Sequence, residues 1–190
     1  MKHTSPPREH KGQNLWLLPS DYSVVDIETN NCYDGIMEII EISALRCRDD
    51  HPVAEFSTLV RAHQPIDPFV EGLTGINDRM MAEALSPNVA LEAFYQFVGQ
   101  DILMGHNVNY DVNALYDNLA RHNALWLTND FVDVLRLSRK ALPDLAHHRQ
   151  TDLAVYFGID ITGAHRALVD CHLCQQNYLH IKAILSAGEA

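Results

Sequence analysis

Asp26 and Glu28 stand two residues apart inside the apolar run "YSVVDIETN", residues 22–30. Val24, Val25 and Ile27 favour an extended backbone, and on a strand side chains two apart share a face. Neighbouring carboxylates repel and are costly to bury, so something positive must sit against them. No Lys or Arg is close in sequence, which makes a divalent cation the candidate. Two more acids occupy places that secondary structure can bring nearby: Asp111 in "GHNVNYD" and Asp170 in "HRALVD". Each has a plainer reading. Asp26 and Glu28 could form a structural salt-bridge patch, Asp111 could complement a helix N-terminus, and Asp170 could face solvent on a helix.

Carboxylates placed in this way need a sheet around them. The first strand is expected from about Tyr22 to Glu28, followed by a turn over Asn30, Asn31 and Gly35. "MEIIEISALRCR" and "HPVAEFSTLVR" read as the next two strands, joined by the polar turn "CRDDHP" into an antiparallel meander. After Pro65 and Pro68 the pattern changes to short helical turns broken at Gly72 and Gly75. "PNVALEAFYQFVG" reads as a helix with Val89, Phe94, Phe97 and Val98 on a buried stripe. "DILMGHN" is a short buried strand, and "YDVNALYDNLARHN" a helix with Asp111 in its first turn. Another short strand is expected near Phe131 and Val132, then a helix over "TDLAVYFGI" closed by Gly158. A last helix, from about Arg166 to Leu185, carries Asp170. This order describes an α/β domain with a mixed sheet. Residues 1–19 read as a flexible N-terminal tail with Trp16 and Leu17 docked on a domain spanning residues 20–186.

The chain has 190 residues and is 47% hydrophobic, enough for one domain with a buried core. Its 25 Asp plus Glu against 14 Lys plus Arg leave a net charge of −11. That balance excludes a broad nonspecific coat on duplex nucleic acid, but not an enzyme whose acidic pocket is neutralised by metal. Cys32, Cys47, Cys171 and Cys174 show no disulfide framework. The lone CxxC of Cys171 and Cys174 reads as helix packing, with a metal or redox role as the alternative. There is neither an 18-residue apolar run nor a signal-peptide core, so no membrane contact and a cytoplasmic location are expected.

Together "VVDIETN", "GHNVNYD" and "HRALVD" resemble the three signature motifs of the DEDDh family of 3'→5' exonucleases, which includes the epsilon proofreading subunits of bacterial DNA polymerase III. The resemblance runs from about residue 22 to 184 and takes in "EFSTLVRAHQPIDPFVEGLTGIND". It implies a ribonuclease-H-like fold, a central mixed sheet flanked by helices. It also implies that Asp26, Glu28, Asp111 and Asp170 hold two Mg²⁺ or Mn²⁺ ions at a scissile phosphate. Asp26 would bridge both ions, Glu28 and Asp170 would bind the one beside the nucleophile, and Asp111 would act partly through coordinated water. Two ions about 4 Å apart serve both the attacking and the leaving oxygen, and hard carboxylate oxygens suit these metals. His165, the matching histidine, becomes the general base, a role suited to its ordinary pKa near neutrality.

Thr29, Leu73, Thr74, His106 and Asn107 are the candidate substrate-facing residues: Thr29 follows the first acids, His106 and Asn107 precede the second-motif helix, and the resemblance implies Leu73 and Thr74 near the last base and sugar. Thr29 offers its N–H or hydroxyl, or merely ends a strand. Leu73 wedges against a base or packs inside the domain. Asn107 binds sugar or phosphate, or caps the next helix. Two features depart from the family pattern. Asn30 and Asn31 replace the glycine that often follows the first motif, and a long link, "LPDLAHHRQTDLAVYFGIDITGAHRALVD", leads to the third. The basic clusters "RLSRK" and "HHR" contact backbone phosphates or are solvated surface. The expected activity is metal-dependent release of nucleoside 5'-monophosphates from the 3' end of single-stranded or frayed DNA. The competing readings are an RNA-directed exoribonuclease of the same superfamily and an inactive nucleic-acid-binding module attached to a polymerase. The complete set of four acids and His165 weighs against the latter. Proofreading would need a DNA polymerase partner.

Overall fold

Alternating apolar residues build a single sheet in the computed structural model, which describes residues 7–188. Its strands are β1 (Asn14–Leu15), β2 (Tyr22–Tyr33), β3 (Ile36–Arg48), β4 (His51–Leu59), β5 (Leu103–Gly105) and β6 (Phe131–Asp133), in the order β1-β6-β5-β2-β3-β4. β2, β3 and β4 form the expected antiparallel meander. β5 runs parallel to β2, β6 parallel to β5, and β1 parallel to β6. The helices are α1 (Pro68–Thr74), α2 (Asp78–Met81), α3 (Pro87–Val98), α4 (Asn109–Asn123), α5 (Val134–Ala141), α6 (Gln150–Phe157) and α7 (Ala167–Ala187).

The period-two pattern of β2 divides the core. Val25 and Ile27 pack with α3 and α4 on one face, and Tyr22 and Val24 pack with α5, α6 and α7 on the other. Asp26 and Glu28 continue the second set, so they lie on the α7 side. Cys171 and Cys174 are buried on α7 within that same core. Both hairpins turn in two residues with positive φ, Asp34 (50°) with Gly35 (80°) and Asp49 (49°) with Asp50 (64°). Such turns match the twist of the strands they join.

Five local expectations are corrected. Asn30 and Asn31 do not turn the chain: β2 runs on to Tyr33 with register shifts on either side of Thr29. Their side chains instead dock the loop before α1. Asn30 Nδ2 donates to Pro65 O (3.2 Å), Asn30 Oδ1 accepts from Asp67 N (3.0 Å), and Asn31 Nδ2 donates to Asp67 Oδ2 (3.0 Å). Gly72 lies inside α1, and only Gly75, at φ 73°, ends it. Val89 is exposed, because the buried stripe of α3 runs through Ala90, Leu91, Phe94 and Val98, with Phe97 half-buried. α5 follows β6 without a linker, its first turn capped by Asp133 Oδ1 accepting from Leu135 N (3.0 Å). Part of the segment read as a tail is tied into the fold. Asn14 and Leu15 pair with Phe131 and Val132, and Arg8 forms an ion pair with Asp117 of α4. Residues 1–6, including Pro6, lie outside the described residues. Among the described residues no helix is long and apolar enough to cross a membrane.

Candidate active site

β2 presents Asp26 and Glu28 to the face covered by α7, and α7 presents Asp170 from its first turn. Carboxylate oxygens of these three residues all lie within 4.8 Å of one another. They line a cavity of about 400 Å³ with Ile27, His106, Arg149, Gln150, Thr151 and His165. Asp170 is held from two sides. Its Oδ2 accepts the His165 N–H (2.8 Å) and its Oδ1 accepts from Gln150 Nε2 (2.8 Å). His165 is exposed and has φ 70°, a left-handed backbone that costs energy for a side chain with a Cβ. The bond to Asp170 offsets that cost and couples the histidine to the acid five residues later.

Asp111 occupies the first turn of α4, as the sequence implies, and is 8% exposed. It is not one of the three mutually close carboxylates, but its charge is felt at Asp26. Gly105 allows this corner: a Cβ there would lie 2.7 Å from Val108 Cγ2 and 2.9 Å from Val25 O. The residues after it are therefore folded tightly over the end of the sheet. Asn107, at φ 59°, donates its N–H to Asp133 Oδ1 (2.9 Å), while its side chain makes no cap on α4. His106 lines the cavity, with Nδ1 buried and without a hydrogen-bond partner among the described residues. Burial pushes its imidazole down to about 4.

The remaining expected residues divide. Thr29 Oγ1 shares a hydrogen bond of 3.1 Å with Tyr110 Oη beside the register shift in β2. Such irregularities re-aim side chains next to sites. Leu73 is 44% exposed. Thr74 is buried, and its hydroxyl is used inside α1, donating to Val70 O (2.9 Å) and accepting from Ile76 N (3.1 Å). The structure thus leaves Leu73 available to a ligand and commits the Thr74 hydroxyl to the fold.

Residues that the sequence reading passed over complete the site. Glu41 stands directly opposite Glu28 on β3 and is 3% exposed. It accepts from Arg166 Nη2 (2.7 Å), Arg166 Nε (3.2 Å) and Ala167 N (3.1 Å), which pins the start of α7. A cation therefore does reach these acids, from far along the chain. Asp133 joins the ends of β5 and β6, and Gln150 orients Asp170. Glu41 carried a usable signal, because it interrupts an apolar strand as Asp26 and Glu28 do.

Arg166 alone does not balance five acids, and Arg149 on the cavity wall is paired with Asp152. Burial drives the Asp26 carboxyl well above the usual carboxylate range, and Asp111, Asp170, Glu28 and Glu41 push it further. Glu28 is pushed up to about 7 by burial, then by Asp170 and Glu41, with Arg166 opposing. Burial is also the main cause that pushes Asp111 up to about 8. Asp170 is raised by burial against the pull of its hydrogen bonds. Charge repulsion of this kind, in an all-oxygen donor set, fits hard divalent cations.

The model of the Exonuclease (RNase_T) family matches residues 23–178. Among curated proteins, the chain is 33% identical over 159 residues to the PolC-type DNA polymerase III of Caldanaerobacter subterraneus subsp. tengcongensis, covering 84% of this chain and 11% of that protein. It is 30% identical over 186 residues to the PolC-type DNA polymerase III of Bacillus subtilis, covering 96% of this chain and 13% of that protein. The chain therefore spans only about an eighth of the length of these relatives. Among solved structures, E. coli exonuclease I in complex with a dT13 oligonucleotide superposes with a TM-score of 0.76 at 17% identity, covering 89% of this chain and 42% of that one. Exonuclease X in complex with 5' overhanging duplex DNA gives a TM-score of 0.65 at 21% identity, covering 88% of this chain and 93% of that one.

Proposed function

The chain belongs to the Exonuclease family, and from that premise we propose that it is a metal-dependent 3'→5' exonuclease acting on single-stranded or frayed DNA. The observation that carries the reading is the group of Asp26, Glu28 and Asp170 oxygens within 4.8 Å, in a cavity that also holds His165. In this reading Asp26, Glu28 and Asp170, with Asp111 behind them, hold two Mg²⁺ or Mn²⁺ ions. When bound, these ions supply Lewis-acid stabilisation of charge on the phosphate oxygens and lower the pKa of the attacking water.

The chain's own residues do the rest. His165, exposed on the cavity rim, takes the proton of the attacking water on an imidazole nitrogen. Water oxygen bonds to phosphorus, the bond from phosphorus to the 3'-oxygen of the preceding nucleotide breaks, and that oxygen collects a proton from solvent. The product is a nucleoside 5'-monophosphate, and His165 returns its proton to bulk water. Asp170 orients His165 through the backbone bond. Thr29 and Leu73 face the terminal nucleotide, and His106 and Asn107 contact the strand near the scissile bond. Thr74 serves the fold of α1 and reaches substrate through its backbone alone. The unit comprises residues 20–186 together with the edge strand β1.

The names of the PolC-type DNA polymerase III relatives support a DNA polymerase as the partner, and with that partner the exonuclease would act in proofreading. The test uses matched 5'-labelled and 3'-labelled DNA and RNA strands, with Mg²⁺, with Mn²⁺ and with EDTA. A metal-dependent ladder shortening from the 3' end, faster on DNA, supports the reading. Internal cuts, shortening from the 5' end or full activity in EDTA would refute it, and faster digestion of RNA would shift the substrate to RNA.

A further inference from the structure

A second cavity, of about 500 Å³, opens beside the carboxylate site and shares His106, Arg149 and Gln150 with it. Its other lining residues are Asn107, Leu135, Arg139 and His148. The first cavity holds Asp26, Glu28 and Asp170; the second adds Arg139 and His148, with Arg149 on the wall between the two. These basic residues come from "RLSRK" and "HHR", clusters that no part of the mechanism above uses.

The groups around this second cavity are not equally available. Arg149 is committed to Asp152 through Nε (2.8 Å) and Nη2 (2.9 Å). His148 is anchored through Nδ1 to Ser138 Oγ (3.0 Å). Gln150 is turned to Asp170. Arg139 is different: it is exposed on α5 and makes no side-chain hydrogen bond or ion pair with any described residue. A guanidinium without a partner at the mouth of a cavity offers a planar fork suited to phosphate. The first turn of α6 begins at Gln150 on the same wall, but Asp152 in that turn already accepts from Arg149 N (3.1 Å), so the positive charge open to a ligand is that of Arg139.

The chemistry of a 3' end assigns a direction to this ligand. The cavity lies over the ends of β5 and β6, beside the carboxylates, since His106 and Asn107 follow β5 and Leu135 follows β6. The terminal nucleotide carries a free 3'-hydroxyl and no phosphate beyond the scissile one, so every other phosphate of the strand lies on the 5' side of the scissile bond. We infer that this cavity binds the internucleotide phosphate on the 5' side of the scissile bond, with Arg139 as its principal ligand. The assignment rests on the exonuclease reading and extends it to the path of the strand. It also answers how a chain of net charge −11 holds a polyanion: the positive charge is local and placed one phosphate away from the acids.

The experiment compares wild type and Arg139→Ala on three substrates in saturating Mg²⁺. One is a DNA single strand. The second is the same strand with a neutral methylphosphonate replacing the phosphodiester next to the scissile one. The third is the p-nitrophenyl ester of thymidine 5'-monophosphate, which has no strand on that side. Arg139→Ala is expected to raise KM for the DNA strand about tenfold, the size of one charge-assisted contact. It should also reduce the slope of log affinity against log salt by about 0.7, the value for one single-strand phosphate contact. The methylphosphonate should impose that same KM penalty on wild type and little more on the variant, and the loss on the nitrophenyl ester should be several-fold smaller than on DNA. Equal losses on DNA and on the ester would overturn the assignment, as would an equal methylphosphonate penalty in both proteins. A folded wild type inert on DNA and on the ester would overturn the exonuclease reading and this assignment with it.

Discussion

In metal-free protein Glu28→Gln is expected to stabilise the fold, and by more at pH 8 than at pH 5. Burial, then Asp170 and Glu41, push the Glu28 carboxyl from 4.5 up to about 7, against the pull of Arg166. An acid whose folded pKa exceeds its unfolded value binds more protons in the native state, so stability falls as pH rises between the two values. Its contribution is therefore complete below about pH 4.5 and lost above about pH 7. Each pH unit inside that window is worth about 1.4 kcal/mol. From pH 5 to pH 8 the loss is on the order of 2 kcal/mol once solvent screening at this half-buried group is allowed for. Gln keeps the shape without the charge and escapes that loss. His106, pushed down to about 4, acts in the opposite sense, adding stability as pH rises towards 6.5. It is present in both proteins and cancels in the comparison. At about 2–4 °C of melting temperature per kcal/mol for a chain of this size, the advantage of the variant should grow by roughly 4–8 °C between the two pH values. Scanning calorimetry in EDTA measures it. Mg²⁺ at a hundredfold excess over its Kd should add about 2.7 kcal/mol to wild type, less to the variant, and reverse their order. An advantage that stays constant with pH, or a wild type that Mg²⁺ leaves unstabilised, refutes the account of crowded, cation-seeking carboxylates.

Asp26→Ala and Asp170→Ala should each nearly abolish Mg²⁺-dependent hydrolysis while circular dichroism stays native; near-normal turnover in either folded variant removes the metal-holding role. His165→Ala should lower single-turnover hydrolysis by about 10²–10⁴-fold, with Mn²⁺ affinity largely kept and partial recovery in alkaline buffer. A parallel loss of metal affinity, read by titration, would reassign His165 from base to organiser of the metal site. Thr74→Val leaves the buried Ile76 N–H without its acceptor and should cost about 1–3 kcal/mol in denaturant unfolding with kcat little changed. Leu73→Ala should do the reverse, raising KM for DNA with little loss of stability; a Thr74→Val variant as stable as wild type contradicts this division. Glu41→Gln weakens the anchor of Arg166 and should reduce kcat by about 10–100-fold, the usual cost of losing an outer partner of a site. An unchanged kcat would leave Glu41 a purely structural acid.

Asp26 and Glu28 are legible in the sequence because two charges in a period-two apolar strand violate the pattern around them. The violation is local, so it survives without coordinates. The meander is legible too: the polar "CRDDHP" marks its second turn and Gly35 its first, although Asn30 and Asn31 draw that first turn too early. Asp111 and Asp170 follow from a helix starting just before each, and family resemblance supplies the roles that spacing alone leaves open. Other features depend on partners that local sequence does not specify. Asn30 and Asn31 have turn propensity, yet extend β2 because Pro65 and Asp67 arrive to accept and donate hydrogen bonds. The two residues of β1 have no periodicity to read and become a strand only where β6 offers an edge. α5 is hidden because strand and helix abut at Asp133 with no turn residue between them. Arg166 reaches Glu41 across 125 positions of sequence, which no inspection of nearby cations could reveal. The sequence by itself determines which acids violate their surroundings. Packing α7 across β2 decides that their oxygens lie within 4.8 Å, because that distance is set by contacts between elements and not by any spacing along the chain.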